Sequence, residues 1–295
     1  MEQLVSVLVT VLLVVMMATI GLRVSLKDLI GTARNGRLML LAVLANYVCV
    51  PAVTVALLLL FGSEPIVAAG FLILAVCPGA PFAPSCVALA RGNVPAAVGL
   101  MVLLAGSSAI VAPLLLKLLL PLLGGDSSLE IDALRIVRAL FITQLLPLCA
   151  GLALRHWRPA VADRLQRPAD LLSAVLSLLT IGVILSAHFD LLLEIPLRAY
   201  LGMAALLVAS WLAGWLLGGT GHDNRRAMAI TTALRNVGVA LMIATDRFAG
   251  TAAVTATVAY GLFEIFGTLL LALWWSRTAP LPASGDVRGS SAREP

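Results

Sequence analysis

Val76-Cys77-Pro78-Gly79-Ala80-Pro81-Phe82-Ala83-Pro84-Ser85 stands inside an apolar run that covers roughly residues 66–90. Three prolines and a glycine crowd Pro78 to Pro84. Each proline removes a backbone donor and its ring clashes with the preceding turn, so no continuous helix fits here. In lipid the freed carbonyls need partners, and such a segment must face protein or a watery cavity. A second interruption lies in the other half of the chain. There Thr231-Thr232-Ala233-Leu234-Arg235-Asn236-Val237-Gly238 sets two threonines, an arginine and an asparagine into the apolar run 228–249. Paired interruptions in the two halves of a hydrophobic chain point to a transport site where the broken helices meet.

Composition agrees with a membrane setting. The 295 residues are 61% hydrophobic and 12% charged, with a mean hydropathy of +1.04. A soluble domain carries about 25% charged residues. The apolar runs are long enough to cross a hydrocarbon core of about 30 Å as helices, whereas a transmembrane barrel would show short alternating segments. The fold class expected is an all-α membrane protein with about nine transmembrane helices. They are drawn roughly at 3–22, 38–61, 66–90, 94–119, 135–154, 169–188, 197–217, 228–249 and 254–276. Residues 1–276 form a single transmembrane domain in this reading. Residues 277–295, rich in Ser, Ala, Gly and Pro, are a disordered cytoplasmic tail. The first run lacks a basic leader and an A-x-A site, so it reads as a retained helix rather than a signal peptide.

The net charge of +5 is unevenly placed. Arg23, Lys27, Arg34 and Arg37 share one loop; Arg91, then Arg155, Arg158, Arg164 and Arg167, then Arg225 and Arg226, and finally Arg277 mark alternate ones. The intervening loops are poorer, with Arg135, Arg138, Arg198 and Arg247 as exceptions. The positive-inside rule then sets the N-terminus outside and the C-terminus in the cytoplasm, for a multi-pass protein of the cell's inner (plasma) membrane. Trp157, Trp274 and Trp275 fall at the cytoplasmic interface. No nucleic-acid, nucleotide or zinc motif and no nucleophile–base pair is visible, so neither an enzyme, a cofactor nor a metal centre is indicated. Cys49, Cys77, Cys86 and Cys149 read as small buried hydrophobes. Gly214 and Gly218 form a G-x-x-x-G that suits close helix packing.

Arg235 and Glu264 are the formally charged residues nearest the middle of any run. A charge at the bilayer centre costs at least about 2.5–3.5 kcal/mol, so both should face the interior. They form either a static ion pair locking the eighth run to the ninth, or a working pair. Asn46, just before Pro51, reads as interhelical glue, and Ser107 and Ser108 as backbone-bonded hydroxyls. His188 and Asp190 read as interfacial. The candidate substrate- and ion-binding residues are Arg235, Glu264, Asn236, Thr231, Thr232, Asn46, Pro78, Ser85 and Ser107.

Val76-Cys77-Pro78-Gly79 leading to Ala88-Leu89-Ala90-Arg91-Gly92-Asn93 resembles the bile acid:sodium symporter family. So do Gly21-Leu22 before the Lys27-Asp28 loop, Asn46 through Pro51-Ala52, Leu145-Leu146-Pro147 with Gly151-Leu152, and Asn236-x-Gly238. The resemblance covers about residues 10–276. It implies two inverted repeats of five helices, a core domain with two crossing broken helices and a panel domain, here with the first helix missing. It also implies transport of organic anions, in many members with two sodium ions. The departures fall on the sodium ligands. The family's Ser-Asn after the Pro-Gly break is Ala83-Pro84, its Glu five residues before the motif's Asn is Thr231, and the Gln before that Asn is Arg235. Counted without gaps from Arg91, the Ser and Thr of the next helix become Ala97 and Met101, with Ser107 or Ser108 in their place if the alignment shifts, and the Gln of the second run becomes Asn46. A guanidinium 4 Å from a sodium ion repels it by about 4 kcal/mol at an effective dielectric of 20.

The resulting expectation is a secondary transporter of a small organic anion in the lipid bilayer. Arg235 is its fixed positive charge. Coupling to protons through Glu264, or no coupling, takes the place of sodium. A non-transporting ligand sensor of the same fold and an arsenite-type efflux carrier, slightly favoured by Cys77, are the alternatives. The orientation has a direct test: with the native cysteines replaced, a cysteine at Ser63 should label from outside and one at Gly36 should not, and the reverse pattern overturns it.

Overall fold

The computed structural model describes residues 2–124, 132–193 and 195–278. These residues are helical apart from short connections, and the one β-type pairing among them is an isolated bridge. In chain order the helices are α1 (Glu2–Arg23), α2 (Leu26–Arg34), α3 (Gly36–Leu44), α4 (Val50–Leu60), α5 (Pro65–Ala75), α6 (Ala83–Leu89) and α7 (Val94–Leu119). Then follow α8 (Ala133–Leu140), α9 (Leu146–Trp157), α10 (Pro159–Leu193), α11 (Leu197–Leu217), α12 (His222–Ala233), α13 (Val237–Arg247) and α14 (Ala252–Thr278). Six segments among the described residues are long and apolar enough to cross a membrane: Val5–Arg23, Gly36–Leu60, Val94–Leu123, Ala133–Trp157, Leu197–Leu217 and Ala252–Thr278. The protein is a multi-pass, all-α membrane protein.

The two interrupted runs are divided where the prolines and polar residues require, into α5 and α6 and into α12 and α13. Both lie at the centre of the molecule. Ala68 to Ala75 is buried except for Phe71, and Ala227 to Asn236 is buried throughout. Broken backbone is thereby kept away from lipid. Two further runs carry a π-helical turn ahead of a proline. A π-helical turn, Ala45–Cys49, joins α3 to α4 ahead of Pro51, and another, Phe141–Leu145, joins α8 to α9 ahead of Pro147. Widening the helix by one residue accommodates the ring and the missing donor.

Some loop assignments are corrected. Arg164 and Arg167 lie within α10, which starts at Pro159, a residue pre-shaped for a first helical position. Residues 26–34 form the amphipathic α2, and Arg277 belongs to the last turn of α14. The remainder of the proposed tail lies outside the described residues, as do the side chains of His188 and Asp190. Of the cations that depart from the charge rule, Arg135 and Arg247 both meet Asp246, at 3.1 and 3.5 Å.

Small residues set the closest helix contacts. A Cβ on Gly21 of α1 would fall 2.8 Å from the Gly151 Cα of α9, and one on Gly214 of α11 would fall 2.5 Å from the Ala229 Cα of α12. The G-x-x-x-G in α11 is thus a packing face. At the first break Gly79 has φ +91°, and a Cβ there would lie 2.5 Å from the Ala105 backbone nitrogen of α7. Gly79→Ala therefore combines a left-handed strain with an overpacked contact. It should destabilise the protein by about 2–5 kcal/mol, read as earlier thermal unfolding in detergent; an unchanged midpoint would contradict this packing.

Candidate functional site

The two breaks repair each other. α5 ends at Ala75, and the carbonyl of Cys77 accepts the Asn236 N–H at 2.7 Å. Pro78 and Arg235 face one another in the isolated antiparallel bridge. The Asn236 side chain then starts α13: its Oδ1 accepts the Val239 N–H at 3.2 Å, while its Nδ2 donates to the Gly79 carbonyl at 3.4 Å. One asparagine thus serves as helix cap and as cross-link between the breaks.

The crossing is also tied at one end. The turn after α6 passes through Arg91 in a left-handed conformation (φ 55°) to Asn93. The Asn93 N–H donates to the Asp223 carbonyl at 3.0 Å, its Nδ2 to Asn224 Oδ1 at 2.8 Å, and its Oδ1 accepts the Ala96 N–H to cap α7. Arg226 Nη1 donates to the Ala90 carbonyl at 3.2 Å and its guanidinium lies 6.0 Å from the Trp275 ring centroid. The Ala-Arg-Gly-Asn stretch is therefore the clamp between α6 and α12.

Arg235 sits in the second break and is 2% exposed. Its backbone N–H, without a helical acceptor, donates to Glu264 Oε1 at 2.7 Å. Its guanidinium goes to a different neighbour: Nη1 donates to Asn46 Oδ1 at 3.1 Å. Asn46 is held in turn by Nδ2 bonds to the Ala42 carbonyl (2.9 Å) and to Thr232 Oγ1 (3.4 Å). Glu264 is carried on α14, which packs closely on α5, with Thr257 donating to the Gly70 carbonyl at 3.1 Å. The static ion pair considered from sequence is corrected. Arg235 and Glu264 are neighbours, but through the backbone amide, and their charged groups form no ion pair within 4.0 Å. The break is the reason: it frees an N–H that the carboxylate satisfies. Arg235 Nη2 and Glu264 Oε2 are both buried without a partner.

Asn46, Thr232, Arg235, Asn236 and Glu264, with the Pro78 backbone, thus come together. Thr231 is buried beside them, but its hydroxyl donates to the Ala227 carbonyl of its own helix at 2.8 Å. Ser107 stands one step away, sharing a 2.8 Å hydrogen bond with the Tyr47 hydroxyl. Ser85 does not join the cluster. The inward face of α6 is set by Ala83, Cys86 and Val87, which leaves Ser85 exposed. Tyr47 and Gln144 were not foreseen. Tyr47 also donates to the Leu104 carbonyl at 3.0 Å. Gln144 donates to the Ala105 carbonyl and to Ser108 Oγ, and its Oε1 is buried without a partner. The signal for Gln144 was present: a lone amide ahead of a proline in an apolar run, as at Asn46 and Pro51.

Chemically, the crossing offers one open guanidinium nitrogen, Arg235 Nη2, whose N–H groups can take an oxygen of an anion, and one open carboxylate oxygen, which can take a proton. It offers few further oxygens for a metal cation. Ala83, Pro84, Ala97 and Met101 supply no side-chain oxygen, and the Thr231 hydroxyl is held against its own helix by donating to the Ala227 carbonyl.

Residues 10–195 match the Sodium Bile acid symporter family. Among curated proteins, the chain is 24% identical over 266 residues to the "Probable sodium/metabolite cotransporter BASS3, chloroplastic" of Oryza sativa subsp. japonica, covering 88% of this chain and 61% of that protein. It is 25% identical over 289 residues to the "Probable sodium/metabolite cotransporter BASS2, chloroplastic" of the same plant, covering 95% and 67%. It is 23% identical over 285 residues to the "Uncharacterized sodium-dependent transporter YocS" of Bacillus subtilis (strain 168), covering 94% and 86%.

The Glu264–Arg235 contact separates two substitutions. Glu264→Gln keeps an oxygen for the Arg235 N–H, whereas Glu264→Leu leaves that buried donor unpaired at a cost of about 1–3 kcal/mol. Thermal unfolding should therefore place the leucine variant clearly below the glutamine variant; equal midpoints would mean the hydrogen bond is not made.

Proposed function

The chain belongs to the sodium bile acid symporter family, and from that premise we propose that it is a secondary transporter of a small organic anion in which Arg235 replaces the coupling sodium and Glu264 carries a proton. The observation that carries the reading is the Arg235 guanidinium, held on one side by Asn46 and open at Nη2, at the crossing of the two broken helices. A cation built into the chain makes a mobile cation unwelcome at the same point.

Charge balance supplies the rest. The crossing holds one positive and one negative group. An arriving carboxylate adds a negative charge to a site sealed from water, where an uncompensated charge is costly. A proton on Glu264 Oε2 restores neutrality without disturbing Oε1, which holds the Arg235 amide. Anion and proton then move together. In this reading residues 1–276 are one transmembrane domain with nine crossings, arranged as two inverted repeats in the plasma membrane. The N-terminus is outside, and residues 277–295 are a cytoplasmic tail.

Uptake of a panel of carboxylates into liposomes tests the mechanism. An inward proton gradient should drive uptake, and replacing sodium by potassium should leave it unchanged. Glu264→Gln should lose gradient-driven uptake and keep anion exchange, while Arg235→Gln should lose both. Strictly sodium-dependent uptake overturns the role of Arg235, and normal gradient-driven uptake by Glu264→Gln overturns that of Glu264.

A further inference from the structure

A cavity of about 480 Å³ lies between α4, α5, α11 and the first half of α14, and opens beside the Gly62–Glu64 turn. Its size falls within the range of about 300–1,000 Å³ occupied by small-molecule sites. It is not the crossing: Asn46, Arg235, Asn236 and Glu264 do not line it. The wall is apolar, with Leu57, Phe61, Phe71, Met203 and Leu206 among its residues. Phe71 packs against Tyr260 in a tilted ring contact, centroids 5.5 Å apart, and Tyr260 lies one helical turn before Glu264.

The rim carries one cation and one anion, Arg198 and Glu64. Both are exposed, and they do not pair with each other within 4.0 Å. Arg198 is also a departure from the charge rule on this face. Arg135 and Arg247, departures likewise, are answered by Asp246; Arg198 has no ion-pair partner among the described residues. An acyl chain from the bilayer filling an apolar crevice would call for neither charge. Two opposite charges that share one opening without closing on each other leave room for a head bearing both signs, with its apolar body on the wall below.

We propose that this cavity is a second binding site, for a single-chain zwitterionic amphiphile. Its acid group meets the Arg198 guanidinium, its cationic group meets the Glu64 carboxylate, and its apolar body fills the space toward Phe71. The assignment does not rest on transport through the crossing and is read by binding alone.

Calorimetry on the full chain in phosphatidylglycerol nanodiscs, where no bilayer lipid carries a zwitterionic head, tests it with decanoylcarnitine as probe. Decanoate and decyltrimethylammonium serve as single-charge controls. One saturable site is expected, with each control weaker by about tenfold or more, as loss of a charged contact predicts. Arg198→Gln and Glu64→Gln should each weaken the probe by about the same factor. A Cβ at Gly202 meets only the Phe61 ring, at 3.9 Å, so Gly202→Leu should fill the cavity without disturbing the backbone and should abolish binding. Arg235→Gln should bind as the parent does. In phosphatidylcholine nanodiscs, weakened binding would identify bilayer heads as a source of the same chemistry, and unchanged binding a free solute. Equal binding of all three probes, no saturable binding of the zwitterion, binding that survives Gly202→Leu, or binding lost in Arg235→Gln each overturns the site.

Discussion

A backbone amide at membrane depth has no water to turn to, and this constraint organises the molecule. Interrupting a helix there releases donors and acceptors that cost several kcal/mol each if left alone. The chain meets the requirement by breaking two helices and setting the breaks against one another. The Cys77 carbonyl takes the Asn236 N–H, the Asn236 side chain caps the helix that follows and reaches Gly79, and Glu264 takes the N–H of Arg235. Apart from the Asn236 cap on its own helix, none of these bonds is available to either segment by itself. The burial of α5 and α12, the left-handed Gly79 against Ala105 and the Asn93 clamp at the far end all serve to hold the two breaks in register.

The same geometry explains why two opposite charges can be neighbours without forming an ion pair. A carboxylate committed by one oxygen to a backbone donor has its position fixed by the fold rather than by the guanidinium. The guanidinium is fixed by an amide that is itself anchored at Ala42 and Thr232. Each charged group keeps one polar atom uncommitted. Closing the pair would satisfy both atoms and leave an inert structural contact. Holding them apart preserves polarity at the crossing, at the energetic cost that buried and unsatisfied polar atoms always carry.

Much of this was legible in the sequence because prolines and charges are unambiguous in an apolar context. Pro78, Pro81 and Pro84 mark one break, Arg235 and Asn236 the other, and Asn93 closes the loop that carried the family resemblance. What the sequence left hidden has a common cause: side-chain direction. Ser85 lies two residues beyond Ala83, the start of α6, and only the helical phase shows that it faces outward. Arg235 looked like a partner for the Glu264 side chain until the extended break turned its guanidinium toward Asn46. Tyr47 and Gln144 act through the π-helical turns ahead of Pro51 and Pro147, a change of phase that helical periodicity does not anticipate. The helical character of residues 159–167 was obscured by their charges, which suit a helix end at the membrane surface as well as a loop.

A fixed cation and a mobile one differ in what they contribute to a transport cycle. A bound ion that leaves on the far side brings its gradient into the balance. A guanidinium that belongs to the chain is present in every state, and a group with equal affinity in both states shifts nothing however tightly it binds. In the proposed mechanism Arg235 can therefore supply affinity and selectivity for an anion but no driving force. The work has to come from a group whose occupancy changes between the two sides. Among the described residues at the crossing, Glu264 is the one carboxylate, and its uncommitted oxygen leaves the change of occupancy compatible with the hydrogen bond that holds the break together. Under the proposed mechanism, an arginine in place of a sodium ligand does more than remove an ion: it moves the burden of coupling onto the carboxylate across the crossing.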